Sequence, residues 1–183
     1  TSSQQLIDLS KNLRVGNSLV DDPDVDPKAF DWEKEFPEKF DVVIGNPPYV
    51  RQEKFKELKK FFQKKYYVFV STADLYTYFY EIGFKLLCDN GTLGYISSNK
   101  FMRAKYGSYL RTFLKFNTCI INIIDFGDKQ LFDAITNTTV VITKKGYKKN
   151  NELLFSDDIK FKQIIPVNQD ELDESAWTLA DEN

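Results

Sequence analysis

A rigid polar turn follows an apolar run at residues 40–49, and no other part of the sequence is better suited to chemistry. The run from Phe40 to Gly45 is rich in β-branched residues and stops at Asn46, which two prolines follow. Proline fixes its own φ and forces the preceding residue out of helical geometry, so the Asn46 amide should point away from the strand in one orientation. The plain alternative is a strand-ending turn with a buried Tyr49.

The oxygens of this turn suit the activation of an amino group that is conjugated with a ring. Such a nitrogen is a poor nucleophile because its lone pair is delocalised. The side-chain oxygen of Asn46 and the carbonyl oxygen of Pro47 could accept its two hydrogens and draw it toward a tetrahedral form. Tyr49 offers a flat face for a planar base, and such stacking contributes about 1–3 kcal/mol per base.

The absence of histidine narrows the chemistry. It removes Ser-His and Cys-His nucleophiles, imidazole general bases and His-ligated metals. Direct displacement on a methylsulfonium remains open, because it needs alignment more than proton transfer, and alignment can supply about 7–11 kcal/mol of a barrier. Cys88 and Cys119 lack the paired spacing of a zinc or redox site, so we expect no metal.

The net charge of −2 conceals two basic clusters between acidic segments at 21–41 and 152–182. The members of the first cluster are Arg51, Lys54, Lys56, Lys59, Lys60, Lys64 and Lys65. Those of the second, with no intervening acid, are Lys100, Arg103, Lys105, Arg111 and Lys115. Such clusters are either solvated helix faces or a surface that faces phosphates, and charge alone does not separate the two.

Alternating strands and helices must position the turn. Apolar periodicity predicts strands at 13–15, 40–45, 93–97, 119–126 and 138–143, and helices at 53–65, from a cap at 71–74 to about 87, and at 108–116. No long helix fits between the last two strands, so we expect them to be antiparallel neighbours. The pattern predicts an α/β fold with a mostly parallel sheet and an antiparallel pair at one edge. Ligands bind beyond the carboxyl ends of such strands, where Asn46 lies.

The motif order resembles the gamma class of N6-adenine DNA methyltransferases, in particular the methylase part of type IIG restriction-modification enzymes. Residues 40–49 are similar to that family's catalytic strand and loop, and residues 74–79 to the helix that follows. Residues 91–101 resemble the next strand and its loop. Phe132 resembles the second aromatic, which sandwiches the flipped base opposite the loop tyrosine. The resemblance covers about residues 13–145.

The resemblance implies a Rossmann-like sheet that binds S-adenosylmethionine, and transfer of its methyl group to N6 of an adenine flipped out of double-stranded DNA. It implies a catalytic role for Asn46, Pro47 and Tyr49. Substrate contacts are expected from Pro48 and Phe132 and, in the second basic cluster, from Lys100 and Arg103. It implies cofactor contacts by Asn17, Ser18, Asp74 and Tyr76. Each of these four has a plain alternative as a turn, a helix-terminal charge or a core residue.

The chain departs from the family at its N-terminal side. The glycine-rich loop that cradles the cofactor's methionine part, and the acidic residue that holds its ribose, normally precede position 13, and this chain has neither. We therefore expect a fragment with part of the cofactor pocket, which need not be active alone. Residues 1–149 are interpreted as the C-terminal portion of a methyltransferase domain, and residues 150–183 as an edge element and connector toward a target-recognition domain.

The expected partners are double-stranded DNA and the rest of a parent polypeptide, with its upstream cofactor loop, its recognition domain and any nuclease domain. No apolar run approaches the length of a membrane span, so the expected location is cytoplasmic.

Two other functions remain open. Methyltransferases that modify a glutamine amide of translation release factors resemble the chain in the same loop, and an amide nitrogen poses the same lone-pair problem. Phe132, the basic clusters and a likeness of residues 171–179 to the entry of a recognition domain favour DNA over glutamine. The second alternative is a non-catalytic nucleic-acid-binding or assembly module, against which the intact Asn46 with both prolines argues.

Overall fold

A computed structural model describes residues 12–127, 137–172 and 175–179 of the chain. The chain forms two compact units, Thr1–Glu38 and Lys39–Asn183. The predicted domain boundary at residue 149 differs from this division, because it falls between two strands of one sheet in the second unit. None of the helices within the described ranges is long and apolar enough to span a membrane.

The first unit contains one short helix, α1 (Trp32–Glu35). The Asp31 carboxylate accepts hydrogen bonds from the amides of Glu33 and Lys34, which otherwise have no partner in the first turn. The ring of Trp32 lies 4.9 Å from that of Phe30 in an edge-on arrangement. The predicted strand at 13–15 is wrong: these residues are exposed coil, and Val15 is 99% accessible, so no sheet neighbour holds them extended.

The second unit contains a six-stranded sheet with the order β1-β2-β4-β3-β5-β6. The strands are β1 (Phe40–Gly45), β2 (Leu87–Ser98), β3 (Thr118–Asp125), β4 (Thr138–Lys145), β5 (Glu152–Ser156) and β6 (Ile165–Asn168). Strand β1 pairs with β2, and β3 with β5, in parallel. The pairs β2·β4, β3·β4 and β5·β6 are antiparallel.

Four strands, β1, β2, β3 and β5, therefore run in the same direction, which fits the predicted mostly parallel sheet. The predicted antiparallel pairing of β3 with β4 is confirmed. This pair lies inside the sheet, because β4 inserts between β2 and β3 and the sheet continues through β5 and β6. Both of these last strands lie within the segment predicted to form an edge element.

Four helices accompany the sheet: α2 (Lys59–Lys65), α3 (Tyr76–Leu86), α4 (Lys100–Arg103) and α5 (Ser108–Asn117). The predicted helix at 53–65 is present in two parts, a 3-10 helix at Gln52–Leu58 and α2, and the backbone of the 3-10 helix leaves helical geometry at the buried Phe55. The predicted side-chain cap at 71–74 is wrong. Helix α3 has no side-chain cap, because the residue before it is Leu75, whose side chain has no acceptor. The Leu75 amide donates to the Val50 carbonyl at 2.9 Å.

Helix α3 packs on β2 with an unusual number of tyrosines. Tyr76, Tyr78 and Tyr80 are all buried, and the Tyr80 hydroxyl bonds to Ser97 Oγ at 2.9 Å. Gly83 permits the close approach, since a Cβ there would lie 2.4 Å from the Tyr95 hydroxyl oxygen. Buried hydroxyls need partners, so this core fixes the orientation of the helix as well as its distance from the sheet.

The C-terminal segment is held by a buried amide. The Gln169 side chain accepts from the amide of Ile120 and donates to the carbonyls of Lys115 and Thr118, at 2.7–2.8 Å. Trp177 is buried, with its ring edge-on to Phe101 and its amide donating to the Met102 carbonyl at 2.8 Å. These contacts fasten the segment to α4 and α5.

Candidate active-site loop at the carboxyl end of the first strand

The loop that follows β1 carries the two oxygen atoms of the predicted acceptor pair. Asn46 is exposed, while Pro47 beside it is buried and anchors the turn. Within the described part of the chain, no hydrogen bond engages the Asn46 carboxamide or the Pro47 carbonyl. The Pro48 carbonyl, by contrast, accepts from the Val50 amide at 2.9 Å. The Asn46 carboxamide is therefore open at the end of the strand, and the pairing of its oxygen with the Pro47 carbonyl as two acceptors stays a prediction.

Tyr49 joins this loop to the start of β4. Its side chain is half-buried, and its hydroxyl oxygen is shielded from solvent. Burial raises the pKa of Tyr49, and the side chain of Thr138 partly offsets the rise. The phenol is therefore neutral over the ordinary pH range. Part of the ring remains accessible, so the predicted role as a stacking surface stays open.

The ends of β2 and β3 lie at the same edge of the sheet and form a polar cluster. Asn99 follows β2 and donates its side-chain amide to Asp125 Oδ1 at 2.7 Å, at the end of β3. The Gly127 amide donates to the same oxygen at 3.0 Å. The sequence analysis missed Asn99 and Asp125, although each is a polar residue directly beside an apolar strand run, as Asn46 is.

The predicted DNA contacts Lys100 and Arg103 both lie on α4 next to this cluster, and both are exposed. The Arg103 guanidinium is 3.9 Å from Asp125 Oδ2, a buried carboxylate, although most of the arginine side chain faces solvent. Arg103 is thus placed at the carboxyl edge of the sheet. A contact of either residue with a substrate stays a prediction.

Two of the predicted cofactor residues lie beside the loop. Asp74 is half-buried, and the Tyr106 hydroxyl donates to its carboxylate at 3.3 Å. The Tyr76 hydroxyl lies 3.1 Å from that of Tyr106. Burial raises the pKa of Tyr76 well above its usual value and that of Tyr106 to about 12, so both hydroxyls stay protonated. Tyr76 is a core residue that supports Tyr106; Tyr106 itself was missed by the sequence analysis.

The other two predicted cofactor residues lie in the first unit. The Asn17 side chain donates to Asp26 at 2.7 Å and accepts from the Leu19 amide at 3.2 Å. The Asn17 bond is the main cause of a lowered pKa at Asp26. The Ser18 carbonyl accepts from the Trp32 indole at 3.0 Å. These contacts stabilise a turn, and a cofactor role for either residue stays a prediction. The predicted stacking residue Phe132 lies outside the described residues.

Comparison with known sequences extends the argument beyond the loop. Residues 1–132 match the Eco57I restriction-modification methylase family, over a range that includes the loop, α3 and the end of β3. The chain belongs to the Eco57I restriction-modification methylase family. This membership confirms the resemblance to restriction-modification methylases drawn from the motif order.

Two curated relatives illustrate the scale of the Eco57I-type proteins. The chain is 38% identical to the type II methyltransferase M.BstVI of Geobacillus stearothermophilus over 125 residues, 65% of this chain and 22% of that protein. It is 32% identical to the type II restriction enzyme and methyltransferase RM.Eco57I of Escherichia coli over 147 residues, 73% of this chain and 14% of that protein. The chain thus spans less than a quarter of the length of either relative.

Solved structures share the fold of this family member at low identity. A nuclease-deletion mutant of the type ISP restriction-modification enzyme LlaGI has a TM-score of 0.54 at 18% identity, covering 80% of this chain and 18% of that one. The methyltransferase subunit of a type I restriction-modification system from Streptococcus thermophilus has a TM-score of 0.52 at 23% identity, over 73% and 28% of the two chains. These likenesses establish the α/β methyltransferase fold.

Proposed function

We propose that this chain carries the catalytic loop of an enzyme that transfers a methyl group from S-adenosylmethionine to the N6 amino group of an adenine in DNA. The observation that carries the proposal is the pair of unengaged oxygens, on the Asn46 side chain and the Pro47 backbone, at the exposed end of β1. An exposed carboxamide with no partner among the described residues can accept a hydrogen bond from a substrate without first breaking a contact in the protein.

The proposed contribution of the loop to catalysis is electrostatic stabilisation of the transition state. The cofactor supplies an electrophilic methyl group on a sulfonium. Asn46 and Pro47 accept the two hydrogens of the adenine amino group, so that charge developing on these hydrogens as the nitrogen attacks is stabilised. Fixed acceptors need no reorganisation during the reaction, and the two prolines supply that rigidity. The nitrogen then loses one proton to solvent, which requires no histidine.

The residues beside the loop fit one side of a cofactor pocket. Asp74 keeps carboxylate lone pairs beyond the one that Tyr106 uses, and these can accept from a hydroxyl or amino group. Its position is set by the bond from the Leu75 amide to Val50, one residue after Tyr49. Asp74 would therefore hold the cofactor close to the acceptor pair. Tyr76 would act indirectly, by fixing Tyr106.

The target base would be flipped from the duplex and held against Tyr49, with Phe132 on its other face. Stacking on two aromatic faces offsets the few kcal/mol that unpairing costs. Pro48 would line the entrance, and Lys100 and Arg103 would contact the phosphates beside the target. Action on DNA would place the protein in the cytoplasm.

We further propose that the activity belongs to a longer polypeptide. M.BstVI and RM.Eco57I are several times longer than the matched region. An upstream glycine-rich loop would complete the cofactor pocket, and a downstream recognition domain would read the DNA sequence. RM.Eco57I is both a restriction enzyme and a methyltransferase, so a nuclease domain in the same polypeptide is part of this proposal.

Product analysis tests the proposal directly. The full-length protein is incubated with duplex DNA and S-adenosylmethionine carrying a labelled methyl group, and the digested nucleosides are separated by mass spectrometry. We expect the label in N6-methyladenine. Label in a cytosine would contradict the adenine assignment. A parallel reaction with a release-factor substrate tests the glutamine alternative, and label in that protein but not in DNA would overturn the proposal.

A further inference from the structure

A basic groove lies between α2 and the start of α5. It has a volume of about 780 Å³, and the residues that argue for its role are Lys59, Lys60, Lys105, Tyr106, Ser108 and Tyr109. No acidic side chain lines it. In a protein with a net charge of −2, a concavity lined by three lysines is a local departure from the average surface.

The lysines of this groove have no carboxylate partner among the residues that the structure describes. Lys60 and Lys105 are exposed, and Lys59 donates to the Gln52 side chain, which is uncharged. In the part of the chain that the structure describes, none of the three forms an ion pair with a carboxylate. Their charges belong to two clusters that are separate in sequence, and the fold brings both to the same groove. Solvated helix faces would not require this convergence.

The groove also offers aromatic and backbone groups that suit a nucleic-acid strand. Tyr109 is 51% accessible, and its ring centre lies 6.0 Å from that of Tyr67, which is 58% accessible. Exposed tyrosines beside lysines form a surface on which sugars and bases can pack. Helix α5 begins at Ser108 with no acidic residue in its first turn, so its N-terminal amides add to the positive potential.

The groove is physically joined to the candidate active site. Tyr106 lines the groove and donates to Asp74. The next residue, Leu75, is hydrogen-bonded to Val50, which directly follows Tyr49. The groove and the candidate active site are therefore linked through the contact between Tyr106 and Asp74.

We propose that this groove binds the phosphodiester backbone of the DNA strand that flanks the target adenine, with Lys60 and Lys105 each neutralising a phosphate. The inference rests on DNA as the substrate in the proposed function, and it assigns a second contact region apart from Lys100 and Arg103. Contacts to phosphate position a duplex but carry no sequence information. The groove therefore contributes affinity and register, and leaves sequence choice to other parts of the protein.

Salt dependence of DNA binding is the measurement that tests the groove. The full-length protein is titrated against a fluorescent duplex of arbitrary sequence, without S-adenosylmethionine, between about 50 and about 200 mM salt. Each of Lys60→Ala and Lys105→Ala should make the negative slope of log K, the association constant, against log salt shallower by about 0.9. This change corresponds to about a fivefold loss of affinity near physiological salt. The double variant should lose both contributions.

The matched control removes two lysines elsewhere. Lys148 and Lys149 are exposed in the connection between β4 and β5, outside the groove, so Lys148→Ala/Lys149→Ala makes the same change in net charge. We expect its slope to equal that of the wild type. An unchanged slope in the groove variants, or an equal change in the control, would overturn the proposal. Inorganic phosphate at millimolar concentration should not displace the duplex; if it does so in the wild type alone, the groove is a site for free phosphate.

The binding result and the product analysis are independent of each other. A changed slope together with label in cytosine would leave the groove standing and refute the adenine assignment. Label in N6-methyladenine together with unchanged slopes would support the adenine assignment and refute the role of the groove.

Discussion

Two asparagines follow adjacent parallel strands at the same edge of the sheet, and their environments are opposite. Asn46 follows β1 and is exposed, and its carboxamide forms no hydrogen bond within the described ranges. Asn99 follows β2, is buried, and donates to the buried Asp125 carboxylate. The two residues are of the same type and each directly follows a strand, so their different roles depend on burial and on the hydrogen-bond partner of the side chain. One amide stabilises the protein, and the other is available to a ligand.

The largest expected effect is a loss of methyl-transfer activity in Asn46→Ala without a loss of stability. Asn46→Ala removes one of two fixed acceptors, and the loss of one such group typically costs about a hundredfold to a thousandfold in rate. Because its side chain has no internal hydrogen bond, the free energy of unfolding should stay within about 0.5 kcal/mol of the wild type. Methyl incorporation into DNA and denaturant unfolding measure the two quantities. Normal turnover in this variant would remove the basis of the proposed mechanism.

The converse change should act on stability. Asn99→Ala removes one of the hydrogen bonds to the buried Asp125 carboxylate and leaves that from the Gly127 amide, so we expect a loss of about 1.5–3 kcal/mol in the free energy of unfolding. The same denaturant titration measures it, with Asn46→Ala as the matched asparagine control. If Asn99→Ala unfolds like the wild type, the distinction between the two asparagines fails.

A smaller expected effect distinguishes an adenine amino group from a glutamine amide as the methyl acceptor beside Asn46. Phe132→Ala should remove stacking worth about 1–3 kcal/mol for a flipped base and reduce methylation of DNA accordingly. An aliphatic amide gains nothing from stacking, so any methylation of a release-factor glutamine should be largely unaffected. Equal losses on both substrates would show that Phe132 acts on the fold instead of on the base.

The smallest effect concerns the hydroxyl that holds Asp74. The pKa of Tyr106 is about 12 in the folded protein, against about 10 for an unperturbed tyrosine, so folding favours its neutral form. Its contribution to stability is complete below about pH 10 and is lost as the pH rises toward 12. The melting temperature between these two pH values should fall less steeply with rising pH for Tyr106→Phe than for the wild type. Identical pH profiles of the two proteins would contradict this.

The sequence predicts well those parts of the molecule that depend on local pattern. Strand β1, the loop after it and helix α5 follow directly from apolar runs, prolines and periodicity. The pairing of β3 with β4 follows from the short connection between them. In each case the residues that determine the structure are close together in the chain.

Features that depend on distant residues were missed for a common reason. Asn99 and Asp125 are 26 residues apart, and they meet only because β4 brings β2 and β3 within reach of each other. The start of α3 was also misjudged, and the Leu75 amide there bonds to Val50, 25 residues earlier. Tyr106 was missed in the same way, since its partner Asp74 lies 32 residues before it.

The reversed direction of β4 has a consequence for the scaffold beside Asn46. Asp125 at the end of β3 pairs with Thr139 near the start of β4, so the chain leaves the sheet and re-enters it at the same edge as Asn46. The register of β3 on β4 rests on pairs within the strands themselves, from Thr118 with Lys145 to Asp125 with Thr139. The scaffold beside Asn46 is therefore defined by strand pairing, in a part of the sheet that β4 closes from the opposite direction.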